Sequence, residues 1–138
     1  MKELEQYFKA LGDGNRLRII NLLLHGELCV CDIQYVLENS QPNISRHLAY
    51  LKSSGMVVDR REGFRMYYRL TDPAETTKQL LFTFLRQVFA LEEQLQQETE
   101  RLREAIASGS CTASEWKPYS ALGKARLNRS AAREIAKI

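Results

Sequence analysis

Residues 42–54 decide the fold, and they read Pro42-Asn43-Ile44-Ser45-Arg46-His47-Leu48-Ala49-Tyr50-Leu51-Lys52-Ser53-Ser54. Ile44, Leu48 and Leu51 recur at the spacing of one helical face, so they predict a helix with a buried stripe. A different face collects side chains that can hydrogen-bond to base edges and phosphates, namely Asn43, Arg46, His47 and Tyr50. Such a polar face is also typical of ordinary solvated surface, and the residues that follow distinguish the two.

Two strand-like segments follow, Met56-Val57-Val58 and Met66-Tyr67-Tyr68. Between them lies Glu62-Gly63, a pair that suits a tight hairpin turn. Three arginines surround this turn: Arg60, Arg61 and Arg65. Their charge favours contact with a phosphate backbone over packing in a core. A helix-turn-helix followed by a basic β-hairpin predicts a winged helix, a mainly α fold with a β-hairpin wing.

The charge of the 138-residue chain is unevenly distributed. The whole chain has a formal net charge of +3. Residues 41–69 carry six basic and two acidic side chains, whereas residues 75–107 carry four basic and six acidic ones. A local basic surface is typical of a nucleic-acid interface. Because no apolar run approaches the ~18 residues of a membrane span, we expect a cytoplasmic protein with no membrane partner.

The segment Asp72-Pro73-Ala74-Glu75 predicts the start of a long C-terminal helix that runs to about Ala107. Apolar residues spaced three and four apart predict a heptad seam along it, interrupted at Glu98. Because so small a domain cannot cover so long a stripe, we expect dimerisation. The expected interface comprises Leu81, Phe84, Val88, Leu91 and Leu95, with Leu4 and Phe8 from the first helix.

We therefore divide the chain into two parts. Residues 1–107 form a winged-helix DNA-binding and dimerisation domain, and residues 108–138 form a C-terminal tail that carries Cys111.

Two of the three cysteines lie one residue apart in the stretch Glu27-Leu28-Cys29-Val30-Cys31-Asp32-Ile33, just before a predicted short helix. Cytoplasmic thiols stay reduced, and an odd cysteine count favours thiolate chemistry over a disulfide framework. Residues i and i+2 of an ideal helix lie ~200° apart. We therefore expect an ion held by both sulfurs to distort the first helical turn. Such a distortion beside a DNA-reading helix predicts an ion-controlled switch.

Residues from about 4 to 107 resemble the ArsR/SmtB family of bacterial winged-helix metalloregulators. The resemblance is carried by Arg16-Leu17-Arg18-Ile19, the cysteine stretch above, Ser40-Gln41-Pro42-Asn43-Ile44-Ser45-Arg46-His47-Leu48, and Tyr67-Tyr68-Arg69-Leu70. It implies a homodimeric repressor that binds inverted-repeat operator DNA and releases it when an ion binds. The Cys29-Val30-Cys31 motif is similar to that of arsenite- and antimonite-responsive members, so As(III) or Sb(III) is the expected inducer. The residues expected to contact DNA are Gln41, Asn43, Ser45, Arg46, His47, Tyr50, Arg60, Arg61 and Arg65.

The sequence departs from the family pattern in its ligand set. Many arsenic sensors have another cysteine three residues after the pair, where this chain has Gln34. A trivalent arsenic centre prefers three thiolates, so Cys111 is the candidate that remains to complete the site with Cys29 and Cys31. Zinc-type members use histidines and carboxylates on the last long helix. That predicted helix has no histidine here, so no zinc is expected.

Other functions stay open at this point. One is a redox or persulfide sensor on the same fold, in which Cys29 or Cys31 is oxidised or bridged to Cys111. Another is a repressor that responds to cadmium or lead, and a third is a dimeric coiled-coil interaction protein with no DNA role. An enzyme is least expected because the sequence has neither a Gly-rich phosphate loop nor a paired-carboxylate signature.

Overall fold

The computed structural model describes residues 1–72 and 74–110. In this part of the chain the elements are α1 (Lys2–Leu11), α2 (Gly14–Leu23), β1 (Leu28–Cys29), α3 (Val30–Leu37), α4 (Gln41–Ser53), β2 (Val57–Glu62), β3 (Arg65–Leu70), α5 (Thr76–Phe89) and α6 (Glu93–Ala107). The strands form one antiparallel sheet in the order β1-β3-β2. The predicted winged helix-turn-helix is confirmed. None of the described helices has the length and apolar character that crossing a membrane requires.

Helices α3 and α4 form the helix-turn-helix. Glu38 ends α3 in the left-handed region, with φ 51°. Ser40 caps α4, since its Oγ accepts a hydrogen bond from the Asn43 N–H at 3.4 Å. The predicted buried stripe of α4 is confirmed, because Ile44, Leu48 and Leu51 are completely buried. Burial of this stripe leaves most of the opposite, polar face of α4 at the surface.

The predicted single C-terminal helix is wrong, because its residues form two helices, α5 and α6. Helix α5 begins at Thr76, later than predicted from Asp72, and Pro73 lies outside the described residues. After Phe89 the chain tightens into a turn, in which the Leu91 N–H donates to the Val88 carbonyl at 3.0 Å. The Gln96 side chain donates to the Phe89 carbonyl at 2.9 Å and so satisfies the end of α5.

Helix α6 packs against α2 and α3 of its own chain. The Glu98 carboxylate accepts hydrogen bonds from Arg18, at 2.6 Å from Nη2 and 2.8 Å from Nε. Nearby, the buried Asn21 amide donates to the Leu95 carbonyl at 3.0 Å and to Thr99 Oγ1 at 3.1 Å. Glu98, the residue that interrupts the predicted heptad seam, therefore holds α6 against α2 through its hydrogen bonds to Arg18. These contacts are the physical reason that α6 departs from α5.

Replacement of Arg18 by alanine is expected to destabilise the fold by ~3–5 kcal/mol, because it leaves the Glu98 carboxylate buried without its ion partner. The side chain of Glu98 is 7% exposed. Urea unfolding followed by circular dichroism measures the change. Lys9→Ala is the matched control, since its ion pair with Glu5 is exposed on both sides and is expected to contribute under ~1 kcal/mol. Equal stability of the two variants would contradict an anchoring role for Arg18.

Candidate functional site

Cys29 and Cys31 lie at the junction between β1 and α3. Cys29 is the last residue of β1 and has extended backbone angles, φ −68° and ψ 143°, and α3 begins at Val30. The two sulfur atoms lie 2.8 Å apart. Cys29 is buried and Cys31 is half-buried, so the pair is approached from the side of Cys31.

The premise of the expected distortion of the first helical turn is wrong. The prediction applied the spacing of an ideal helix to both cysteines, whose side chains would then diverge by ~200°. Cys29 instead precedes the helix, at its N-cap position, and helical spacing does not govern its side chain. The sulfurs therefore converge while α3 stays regular, and an ion that bridges both requires no unwinding of α3.

A cleft of about 560 Å³ opens beside Cys31. Tyr35, Arg101 and Ser110 are among the residues that line it. Within the described residues, no three His, Cys, Asp or Glu side chains are grouped as a metal ion would need. Cys111, the third predicted ligand, lies outside the described residues and directly follows Ser110 in the sequence.

The donor atoms of the pair suit a soft, sulfur-seeking ion, because both are thiol sulfurs. The histidines have other partners in the described structure. His25 Nε2 lies 3.3 Å from Thr99 Oγ1, and His47 Nδ1 lies 3.8 Å from Asp13 Oδ1. The arrangement therefore suits a soft, thiol-seeking ion better than an ion held by histidines and carboxylates.

Cys29 is also a residue of the wing's sheet. Its Cα partner in β3 is Tyr67, which in turn is the partner of Arg60 in β2. The Arg60 guanidinium stacks on the Tyr67 ring, 4.4 Å from its centroid. Arg60 also donates from Nε to Oε1 of Glu27 at 2.8 Å, two residues before Cys29. Strand pairing thus joins Cys29 to the wing's sheet, and an ion pair joins Arg60 of the wing to Glu27, two residues before Cys29.

Most of the predicted DNA-contact residues of α4 are accessible. The exposed side chains are those of Gln41, Arg46 and Tyr50, and Asn43 and Ser45 are half-buried. Arg46 Nη2 donates to Asn43 Oδ1, which orients both side chains along the helix surface. We call these five residues the α4 polar face.

His47, the sixth residue predicted on α4, has a different role. Its side chain is 8% exposed and faces Asp13 at the start of α2. Burial lowers the pKa of His47 from its ordinary value; the charge of Asp13 opposes this shift, and the charges of Arg16 and Arg46 add to it. The ring is therefore buried between helices in surroundings that favour its neutral form. This burial argues against the base or phosphate contact predicted for His47, because His47 belongs to the buried side of α4.

The three predicted wing arginines differ in their surroundings. Arg60 is held by Glu27 and also donates to Glu62 Oε2 at 2.6 Å, so nearby carboxylates balance its charge. This argues against the phosphate contact predicted for Arg60. Arg61 and Arg65 are exposed, and Arg61 Nε donates to the Gly63 carbonyl at 3.0 Å. Positive charge is therefore presented at the tip of the hairpin.

Arg16 also lies beside the α4 polar face, although the sequence did not predict it there. Its guanidinium lies 4.1 Å from the centroid of the Tyr50 ring, and its Nε donates to the Ala10 carbonyl at 2.6 Å. Arg16 thereby orients one aromatic residue of the α4 polar face. A stack between residues so far apart in sequence leaves no local pattern that could predict it.

The predicted dimer-interface residues fall into two groups. Those with exposed or half-buried side chains are Leu4, Phe8, Phe84, Val88 and Leu91. The most exposed are Leu91 at 85%, Phe8 at 58% and Phe84 at 56%. Leu81 and Leu95 are each 8% exposed and belong to the core of their own chain. Helices α1 and α5 therefore present apolar side chains at the surface. Leu81 and Leu95 contribute little exposed area to it.

Comparisons with known proteins agree with this geometry. Residues 13–58 match the family described as "Bacterial regulatory protein, arsR family". The arsenical resistance operon repressor of Escherichia coli K12 is 54% identical over 67 residues, which are 48% of this chain and 57% of the relative. The chain thus spans little more than half the length of that curated relative.

This chain covers a larger share of two solved structures than it does of that relative. HlyU from Vibrio cholerae is 30% identical with a TM-score of 0.58, over 64% of this chain and 94% of that one. The homodimeric winged helix-turn-helix DNA-binding domain of Mb0332 from Mycobacterium bovis, described as a possible ArsR-family regulator, is 38% identical. Its TM-score is 0.55, over 66% of this chain and 81% of that one. The predicted family is confirmed, and it is a family of regulatory proteins rather than of enzymes: this chain belongs to the ArsR family.

Proposed function

We propose that this protein is a homodimeric transcriptional repressor that holds operator DNA while ion-free and releases it when As(III) or Sb(III) binds its cysteine thiolates. The observation that carries the proposal is the Cys29–Cys31 sulfur pair, 2.8 Å apart at the end of the wing's sheet. Converging sulfurs offer a soft ion two bonds without rearrangement of a helix. The name of the Escherichia coli relative, an arsenical resistance operon repressor, supports the inducer class.

The DNA-binding part of the proposal rests on the α4 polar face and the wing. The polar face offers amide, hydroxyl and guanidinium groups that suit base edges in the major groove. Arg61 and Arg65 add positive charge for the adjacent phosphate backbone. An inverted repeat places its half-sites one helical turn, ~34 Å, apart, and a twofold dimer is the assembly that matches it.

Cys111 is proposed as the third ligand. A pyramidal As(III) centre takes three sulfurs, and the pair supplies two of them. Ser110, the residue before Cys111, lines the cleft beside Cys31, which supports a contribution from the next residue of the chain. In this scheme Cys29 and Cys31 control the response, and Cys111 adds affinity.

Ion binding is proposed to reach the wing through β1. Movement of Cys29 toward a shared ion shifts β1 relative to β3, the strand in which Tyr67 is the pairing partner of Cys29. The same shift disturbs the ion pair between Glu27 and Arg60, which holds β2. A displaced wing no longer follows the phosphate path beside the groove that α4 reads. Operator binding weakened ~1,000-fold corresponds to a coupling free energy of ~4 kcal/mol.

A side-by-side titration tests the inducer class. As(III), Sb(III), Cd(II) and Zn(II) are added separately to the full-length protein bound to a fluorescent duplex, which the protein itself has selected from a randomised library. We expect As(III) and Sb(III) to release the duplex at the lowest concentrations and Zn(II) to leave it bound. Release at lower Cd(II) than As(III) would favour the cadmium- or lead-responsive alternative. Failure of the ion-free protein to retain any duplex would reject the repressor.

The proximity of the two sulfurs also favours a second candidate, a thiol-redox-responsive repressor. A disulfide would form as two thiols pass two electrons and two protons to an oxidant. Treatment of the DNA complex with diamide, followed by thiol counting in a mass spectrometer, separates the two functions. Release by diamide with the loss of two thiols, and no release by As(III), would establish the redox function in place of the ion-responsive one.

Replacement of Arg61 and Arg65 by alanine is expected to weaken binding to all duplex sequences alike, because these residues neutralise phosphates rather than read bases. The plot of log affinity against log salt should become shallower by ~1 for each phosphate that is no longer neutralised, or ~4 for a dimer that carries both changes. Anisotropy titrations between low and moderate salt measure this slope. Arg103→Ala, which removes an exposed charge on α6, is the matched control. An unchanged slope in the wing variant would exclude the proposed docking of the wing.

A further inference from the structure

The tip of the wing carries a fully exposed aromatic residue. Phe64 is 101% exposed, the most exposed of the large apolar side chains in the described chain. It is the second residue of a two-residue turn, between the strand partners Glu62 and Arg65. Gly63 precedes it with φ +61°, as a hairpin turn with glycine at its first central position requires. The turn therefore projects the Phe64 ring beyond the end of the sheet.

The hairpin that carries Phe64 is fixed to the body of the domain. Strands β2 and β3 are paired along their whole length. Lys52, at the end of α4, donates to Asp59 of β2 at 2.9 Å, and Arg60 of β2 is held by Glu27. The position of the wing tip is therefore fixed relative to the α4 polar face.

Phe64 lies among positive charges. Arg61 and Arg65 are both exposed at the same tip, and Arg61 is folded back onto the Gly63 carbonyl. An apolar ring flanked by guanidinium groups matches the minor groove, where cationic side chains follow the phosphates and an apolar wedge contacts or separates a base step. A single phenylalanine presents ~150–250 Å², far less than the ~800 Å² per partner of a stable protein interface. The charge and the small apolar area both favour DNA over a protein partner.

We propose that Phe64 is a minor-groove wedge that contacts a base step flanking the major-groove site of α4. This inference rests on the proposed DNA-binding function and adds an interaction that phosphate neutralisation does not provide. It also predicts a preference for flexible steps, such as TA or CA/TG, at the flanking position, because these are the most easily unstacked.

The test uses the full-length protein and the duplex selected by it, with 2-aminopurine placed at the flanking steps. Phe64→Ala is expected to weaken binding about 5- to 150-fold for each of the two rings of the dimer, the range expected when one base–aromatic stack is removed, with the salt slope unchanged. The wild-type protein should raise 2-aminopurine fluorescence by unstacking the step, and the variant should not. Phe64→Leu, which keeps an apolar wedge, should retain most of both effects. Arg103→Ala, which changes an exposed side chain of α6, is the control and should bind as wild type.

Three results would overturn the inference. One is Phe64→Ala binding as tightly as wild type, and another is the same fluorescence rise with Phe64→Ala as with wild type. The third is a loss of affinity accompanied by a shallower salt slope, which would assign the effect to phosphate contacts instead. Failure of the wild-type protein to bind duplex DNA would reject the proposed function itself and is distinct from these outcomes.

Discussion

The Cys29→Ser and Cys31→Ser proteins are expected to bind operator as wild type and to remain bound at As(III) concentrations that release the wild-type protein. Each change leaves one sulfur of the pair. An ion bound with one fewer bond no longer shifts β1 relative to β3. The wild-type response is expected to be ~1,000-fold in operator affinity, and the response of each variant below ~10-fold. Anisotropy titrations, in which As(III) is added to preformed protein–operator complexes, measure the responses of the wild-type protein and of each variant.

Serine is close to cysteine in size, but at buried Cys29 it places a hydroxyl in the core, which is expected to cost ~1–3 kcal/mol of stability. Circular dichroism, together with operator binding in the absence of As(III), shows that each variant is folded. Cys111→Ser is the informative comparison, since it should weaken As(III) affinity yet keep part of the release. Release of the Cys29→Ser protein at the wild-type As(III) concentration would contradict control by the pair. Complete loss of the response in Cys111→Ser alone would move control to the tail.

Replacement of both Phe84 and Leu91 by glutamate is expected to give monomers that bind operator at least ~100-fold more weakly. Both side chains are largely exposed and apolar, and charges there oppose burial between two protomers. A monomer reads one half-site and loses the gain from simultaneous contact with both. Sedimentation velocity measures the mass, and anisotropy measures operator binding.

Tyr35→Glu is the matched control for the dimer variant, because Tyr35 is 65% exposed on α3 and lies outside the proposed interface. It should remain a dimer. Persistence of the dimer in the Phe84→Glu, Leu91→Glu protein would exclude the exposed face of α5 and the turn after it as the interface. Leu95→Glu would not report on dimerisation, because Leu95 belongs to the core of its own chain and the change would unfold the protein.

Local periodicity predicted the parts of the fold that local forces determine. The buried stripe of α4 followed from apolar spacing, and the hairpin followed from the turn predicted at Glu62-Gly63, which the structure places one residue later, at Gly63-Phe64. The break between α5 and α6 did not, because the contact that fixes α6 joins Arg18 to Glu98, which lie 80 residues apart. A carboxylate within an apolar seam has the same local pattern whether it faces solvent or a buried guanidinium.

The sequence predicted which residues of the described chain belong to the candidate ion site, but not how they are arranged. The spacing of Cys29 and Cys31 indicated a shared ligand, but the pattern gave no sign that Cys29 belongs to a strand. Strand β1 has two residues, too few for a period of two to be visible, and its pairing with Tyr67 and Tyr68 is a long-range contact. The contact that buries His47 against Asp13 is also long-range, so the local sequence pattern did not predict it.

The most direct measurement of the proposed switch compares the As(III) affinity of the free protein with that of the operator-bound protein. Linkage requires that the operator weaken As(III) binding by the same factor by which As(III) weakens operator binding. Competition against a small dithiol chelator gives both affinities. We predict As(III) binding ~1,000-fold weaker in the operator complex, and no such difference in the Cys29→Ser protein. Equal As(III) affinity of the free and operator-bound wild-type protein would contradict the switch.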